Sequence, residues 1–195
     1  MNEIIENILS RRSIRKYKEE QIKDEDLNLI LEAAKFAPSG SNNQKWHFIV
    51  VQNGEKLQEL NKLVIDAFIK LEADENTYGA LKAGKAASKS EDYSFYYNAP
   101  TLIIVTNQSN GYKNAMADSA LAIGNTFLAA NSLGLGSCWI NQMAWFAEDK
   151  KLRKALFEMG MPETDKVFGA VSLGYKDGPD PKPKERKDGT IIKVK

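Results

Sequence analysis

Histidine and cysteine are nearly missing from this chain: among 195 residues there is one of each, His47 and Cys138. One Cys and one His cannot supply the three or four ligands of a zinc site, and a lone thiol closes no internal disulfide. Long apolar runs are missing as well. The longest, Met143-Ala144-Trp145-Phe146-Ala147, is far short of the roughly 20 residues that span a bilayer. Nor is there an excess of one charge. Lys and Arg number 27 against 26 Asp and Glu, a formal net charge of +1, without the basic footprint that nucleic acid or an anionic membrane requires. The N-terminal segment carries acids where a signal peptide would carry bases, and it lacks an apolar core. These absences together lead us to expect a cytoplasmic globular domain with neither nucleic acid nor membrane as partner.

What is present is an ordinary globular balance, 43% hydrophobic and 27% charged. The length predicts one domain over residues 1–195. Helical spacing of apolar residues predicts helices over 3–9, 24–37 (with Asp24 as cap), 55–72, 114–133 and 148–159. Strands are predicted at 47–51, 101–105, 137–140 and 167–175, and a further edge strand at Thr190–Val194. Residues 73–92 lose periodicity and read as a polar, mobile excursion. Helix 114–133 carries a small-residue face of Ala117, Ala120 and Gly124, which suits a central or interface helix. Irregular alternation of helices and strands predicts an α+β or α/β fold around one mixed sheet.

Several patterns imitate chemistry. Gly79–Ala86 matches a phosphate loop at its glycines and lysine, but Ala86 stands where a Ser or Thr hydroxyl should hold magnesium, so a polar surface helix or loop is expected. Ala170-Val171-Ser172-Leu173-Gly174 resembles a nucleophile elbow, yet the only histidine lies upstream, the wrong chain order for an α/β-hydrolase. His47 beside a strand reads as a packed residue, and Cys138 as a buried small apolar one.

Three clusters carry more. Arg11-Arg12-Ser13-Ile14-Arg15 places three guanidiniums and a hydroxyl within five residues, a match for the charge and forked acceptors of a phosphate monoester. Pro38-Ser39-Gly40-Ser41-Asn42-Asn43-Gln44-Lys45-Trp46 is dense in amides and hydroxyls able to read the edge of a flat heterocycle. Lys184-Glu185-Arg186 is a basic tripeptide in a Pro-, Lys- and Asp-rich tail. In this order, with Asn98-Ala99-Pro100 and the Leu-Gly-Leu-Gly step at 133–136, they resemble the nitroreductase family of flavin enzymes over nearly the whole chain.

The resemblance implies an α+β fold with a mainly antiparallel sheet flanked by helices. It further implies a homodimer with an exchanged C-terminal tail and one non-covalent FMN in each site between the two chains. Arg11, Arg12 and Ser13 would cradle the phosphate, closed by Lys184 and Arg186. Arg15 would sit near the pyrimidine side, where a cation stabilises the negative charge that follows reduction. Pro38, Ser39, Gly40 and Asn42, with Gln44 close by, would reach the flavin from the other chain, and Trp139, Ile140 and Asn141 would line its ring. No side chain would act as catalytic acid, base or nucleophile. NADH or NADPH would give hydride to flavin N5, and a nitroaromatic or quinone acceptor would follow in the same place, so kinetics would be ping-pong. Residues 73–97 and Trp145–Phe146 are the expected pocket walls. Reductive dehalogenation or flavin fragmentation on the same scaffold, and a flavin-binding or regulatory module without turnover, remain alternatives.

Overall fold

A computed structural model describes residues 1–195. Helices α1 (Glu3–Ser10) and α2 (Asp24–Lys35) lead through a short 3-10 turn (Gly40–Asn42) into strand β1 (Trp46–Val51). Helices α3 (Gly54–Lys70) and α4 (Gly79–Ala87) precede β2 (Thr101–Gln108), and α5 (Ala115–Ser132) precedes β3 (Gly136–Ile140). Helices α6 (Gln142–Phe146) and α7 (Lys150–Glu158) lead to β4 (Asp165–Gly174).

The sheet runs β1-β2-β4-β3 with every neighbouring pair antiparallel. The expected mixed character shrinks to one parallel bridge, Ser13 to Ser137, where Ile14 N–H donates to the Ser137 carbonyl at 3.0 Å. That bridge matters, because it fixes the arginine cluster along the β3 edge.

β2 is buried at all but its last residue, so it reads as a continuous apolar run rather than an alternation. Its two faces feed two cores. Leu102 and Ile104 pack with Leu60, Val64 and Phe68 of α3, while Ile103 and Val105 pack with Ile30 of α2 and Ile123 of α5. The sheet is thus sandwiched between helices, and no helix is long and apolar enough to cross a membrane.

Three expectations are corrected. Asp24 is the first residue of α2 rather than its cap; the cap position is Lys23, with no side-chain bond, while three acids in the first turn favour the helix dipole. The 73–92 excursion contains α4, which buries none of its residues fully and whose stripe is made of Ala and Gly rather than large apolar residues. It is held by Leu81 packing on the core, by Lys85, which donates to the Leu71 carbonyl, and by Gly84 lying against the Phe68 ring. Thr190–Val194 forms no strand within the chain, and Ile191, Ile192 and Val194 are 78%, 89% and 94% exposed.

Candidate functional site

The 11–15 segment leaves α1 and runs beside β3. Its three arginines part ways. Arg11 lies over the Phe127 ring of α5, 5.5 Å from its centroid. Arg12 Nη1 donates to the Leu9 and Arg11 carbonyls at 2.7 and 2.9 Å, closing the C-terminus of α1. Arg15 Nε donates to the Tyr97 hydroxyl at 3.3 Å, and its guanidinium lies 5.8 Å from that ring's centroid. Burial pushes the pKa of the Cys138 thiol up, while Arg15, the Ser13 hydroxyl and Arg11 pull it partly back. Cys138 is buried, as expected.

Arg15 opens into a cavity of about 650 Å³ whose walls include Tyr93, Phe95, Tyr97, Trp139, Asn141 and Trp145. The volume lies within the range of about 300–1,000 Å³ usual for small-molecule and cofactor sites. One side is the small-residue face of α4, Ala80, Ala83, Gly84 and Ala87. The expected 73–97 wall is therefore supplied by α4 and the turns after it. Of Trp145 and Phe146, only Trp145 lines the cavity. Phe146 turns inward and meets Phe68 edge-on at 4.7 Å between centroids.

Trp139 is fixed by its indole N–H, which donates to Asn141 Oδ1 at 2.7 Å. Ile140, between them, points the other way, because alternate strand residues face opposite sides. The residue is 1% exposed, packs in the core and does not line the recess.

The Pro38–Gln44 loop lies elsewhere. None of its residues lines the Arg15 cavity; it is anchored at the start of α5, where Gly40 N–H donates to Asp118 Oδ1 at 3.1 Å. Ser41, Asn42 and Gln44 adopt φ of 54°, 55° and 49°, left-handed values uncommon outside glycine. Asn42 and Gln44 are exposed, with Gln44 Nε2 donating to Asn42 Oδ1 at 2.8 Å. Lys184 and Arg186 are exposed and do not line the cavity. The tail does pass the arginine segment earlier: Lys176, Pro179 and Pro181 line a smaller recess of about 230 Å³ with Ser13 and Arg15.

Tyr97, the partner of Arg15, and Gln142, Tyr112 and Asp118 belong to no sequence motif. His47 is not the packed residue expected: its side chain is 54% exposed, with Nδ1 2.7 Å from the buried Asp165 carboxylate.

Fold and recess define a class: a helix-sandwiched antiparallel sheet whose edge strand bears a ring-walled recess, with Arg15 and Asp92 as its charged lining, suited to a flat ligand. The sequence profile of the Nitroreductase family matches residues 8–175, and the chain belongs to that family. A nitroreductase with bound FMN from Bacteroides fragilis superposes with a TM-score of 0.90 at 46% identity, covering 100% of both chains. A protein of Archaeoglobus fulgidus, provisionally named NADH dehydrogenase/NAD(P)H nitroreductase, is 36% identical over 96% of this chain and 90% of its own. An iodotyrosine deiodinase of Thermotoga neapolitana is 30% identical over 94% of this chain and 92% of its own.

Proposed function

We propose that this protein is an FMN-dependent NAD(P)H oxidoreductase, acting as a homodimer on nitroaromatic, quinone or similar small acceptors. The observation that carries the reading is the joining of a cationic segment to an aromatic recess by the Ser13–Ser137 bridge. The donor set fits FMN: Ser13 and Arg15 line a small recess beside the tail, Arg11 stands two residues before Ser13 over Phe127, and Arg15 also reaches into the ring-walled recess.

When bound, FMN supplies hydride transfer from NADH or NADPH to the acceptor. The chain's own residues bind and orient. Arg11, Arg12 and Ser13 hold the phosphate, with Lys184 and Arg186 brought to it by the tail in the dimer. Arg12 keeps its hydrogen bonds to the Leu9 and Arg11 carbonyls, so its part is the weaker of the two N-terminal arginines. Arg15, held by Tyr97, places a fixed positive charge at the pyrimidine side, and charge fixed before reaction needs no reorganisation during it. Trp139 and Asn141 support the ring. The α4 face and Trp145 enclose the acceptor and exclude water. Pro38, Ser39, Gly40, Asn42 and Gln44 serve the partner's site, which accounts for an amide-rich loop that faces outward and lines no recess of its own.

The purified protein should be yellow, release FMN on denaturation and oxidise NADH or NADPH in the presence of menadione or nitrofurazone. A colourless protein that takes up no added FMN sinks the reading; a flavin that neither nucleotide reduces favours a binding module instead. Arg11→Ala should raise the FMN dissociation constant by roughly tenfold or more, since a charge-assisted hydrogen bond is worth about 1.5–3 kcal/mol. Flavin fluorescence titration measures it, and unaltered affinity would refute the phosphate assignment. The likeness to a deiodinase over nearly the whole chain favours a second reading, reductive dehalogenation, which halide release from an iodophenol under the same conditions would detect.

A further inference from the structure

The 38–44 loop holds three consecutive-region residues, Ser41, Asn42 and Gln44, at left-handed φ, and such conformations persist only where the surroundings over-determine them. Bonds inside the loop are local: Asn42 N–H donates to the Ser39 carbonyl at 2.9 Å, Asn43 N–H and Nδ2 to the Gly40 carbonyl at 3.1 and 2.7 Å, and Gln44 N–H to Ser39 Oγ at 3.1 Å. Two side chains tie it to the rest of the molecule. Asp118, 3% exposed on α5, accepts the Gly40 N–H with Oδ1 and the Tyr112 hydroxyl with Oδ2. The Tyr112 oxygen also lies 3.1 Å from the Gly40 carbonyl, while its ring lies beneath Lys45, with Nζ 5.9 Å from the centroid. A side chain at position 40 would press on both neighbours: a Cβ there would lie 2.3 Å from Asn114 Nδ2 and 2.7 Å from the Tyr112 oxygen, so the phenol would have to shift. A buried carboxylate and a phenol thus grip the N–H and the carbonyl of Gly40.

We propose that Asp118 and Tyr112 are positioning residues that clamp Gly40, and so hold the 38–44 loop in the shape that contacts FMN in the partner's site. This rests on the flavin reading above. The Tyr112 hydroxyl has one hydrogen and faces two acceptors, Asp118 Oδ2 and the Gly40 carbonyl. Asp118→Asn therefore keeps the clamp: its amide nitrogen donates to the phenol oxygen, which frees the phenol hydrogen for Gly40. Asp118→Ala removes the grip on the N–H, and Tyr112→Phe removes the hydroxyl while keeping the ring under Lys45.

The test uses the full-length protein, first without flavin and then with it. Hydrogen exchange of the Gly40–Asn43 amides in flavin-free Tyr112→Phe and Asp118→Ala should be about tenfold faster than in the wild type, the scale of one lost hydrogen bond. The thermal midpoint serves as a check that each variant remains folded. The FMN dissociation constant, read from fluorescence quenching, should rise by about the same factor in those two variants and stay near the wild-type value in Asp118→Asn. Faster exchange with unaltered FMN affinity would reduce the clamp to a structural latch and overturn the proposal, as would unaltered exchange in both variants. A wild-type protein that binds no FMN overturns the cofactor reading itself, and is told apart because the failure precedes any substitution.

Discussion

At the scale of single residues, the recess depends on how closely backbone approaches ring. Gly169 of β4 lies under Trp139: a Cβ added there would sit 2.7 Å from the indole Cζ2 and 2.9 Å from Ile123 Cδ1. Those atoms cannot both retreat, since Ile123 is fully buried and Trp139 is tied to Asn141. Gly169→Ala should therefore displace the indole, break its bond to Asn141 and cost about 1–3 kcal/mol, the usual penalty of overpacking. Thermal unfolding and tryptophan emission would show it, and a variant with unchanged emission and stability would refute the close fit. None of this is visible in the sequence, where Gly169 is one glycine of 13. Arg11, Ser13 and Arg15 stand out in the sequence as candidates for an anion because guanidinium and hydroxyl chemistry is carried by residue type. Tyr97, Tyr112 and Asp118 do not, because their meaning lies in partners far along the chain: Tyr97 meets Arg15 across 82 residues and Asp118 meets Gly40 across 78.

At the scale of elements, periodicity located every strand of the sheet and most helices, because all but α1 present an apolar face to one of two cores, and the stripe of α1 is as regular though it faces solvent. It failed where no stripe of large apolar residues exists. α4 buries none of its residues fully, and α6, five residues long, is too short to show a period and read only as an apolar run. Tail residues 190–194 have strand-like composition without a strand to pair with in the chain. One helix terminus carries a measurable charge effect. Asp149 caps α7, accepting the Lys151 and Leu152 N–H groups at 3.0 and 3.3 Å, and pairs with Lys70 of α3 at 2.8 Å. The Lys70 bond, with the two N–H donors, holds its carboxyl below the ordinary Asp value of 3.8. A depressed folded pKa means stabilisation that is fully present above about pH 4 and is lost as pH falls through the folded value. Asp149→Ala should cost roughly 0.5–2 kcal/mol at neutral pH, as for other caps, and the difference from the wild type should shrink below pH 4. Urea unfolding at pH 7 and at pH 3 checks both; a difference as large at pH 3 would show that the carboxylate charge is not what acts.

At the scale of the whole molecule, the apolar surface is on the wrong side for a lone chain. α1 has no buried residue, yet Ile4, Ile5, Ile8 and Leu9 are 70%, 43%, 45% and 58% exposed. Polar bonds fix it to α5: Asn7 Nδ2 donates to the Leu128 carbonyl at 2.9 Å, and Asn131 Nδ2 donates to Asn7 Oδ1 at 2.7 Å. The helix thus turns amides toward its own core and isoleucines toward solvent, the reverse of an ordinary surface helix. α5 adds exposed Met116 and Leu121, with open space around Gly124, and Phe36 beyond α2 is 78% exposed. The homodimer proposed above would cover this face, and the outward-facing 38–44 loop would then find a site to serve. Burying one large aliphatic side chain is worth about 1.5–3 kcal/mol, so removing two from each subunit should dissociate the pair. The wild type should sediment at about twice 21.8 kDa, and Ile4→Glu with Ile8→Glu at the monomer mass. That monomer should lose its FMN even though Arg11, Ser13 and Arg15 are untouched, because half of each site would leave with the partner. A monomer that keeps FMN as tightly as the dimer would confine the site to one chain and withdraw the 38–44 loop from it; a monomeric wild type would remove the dimer itself.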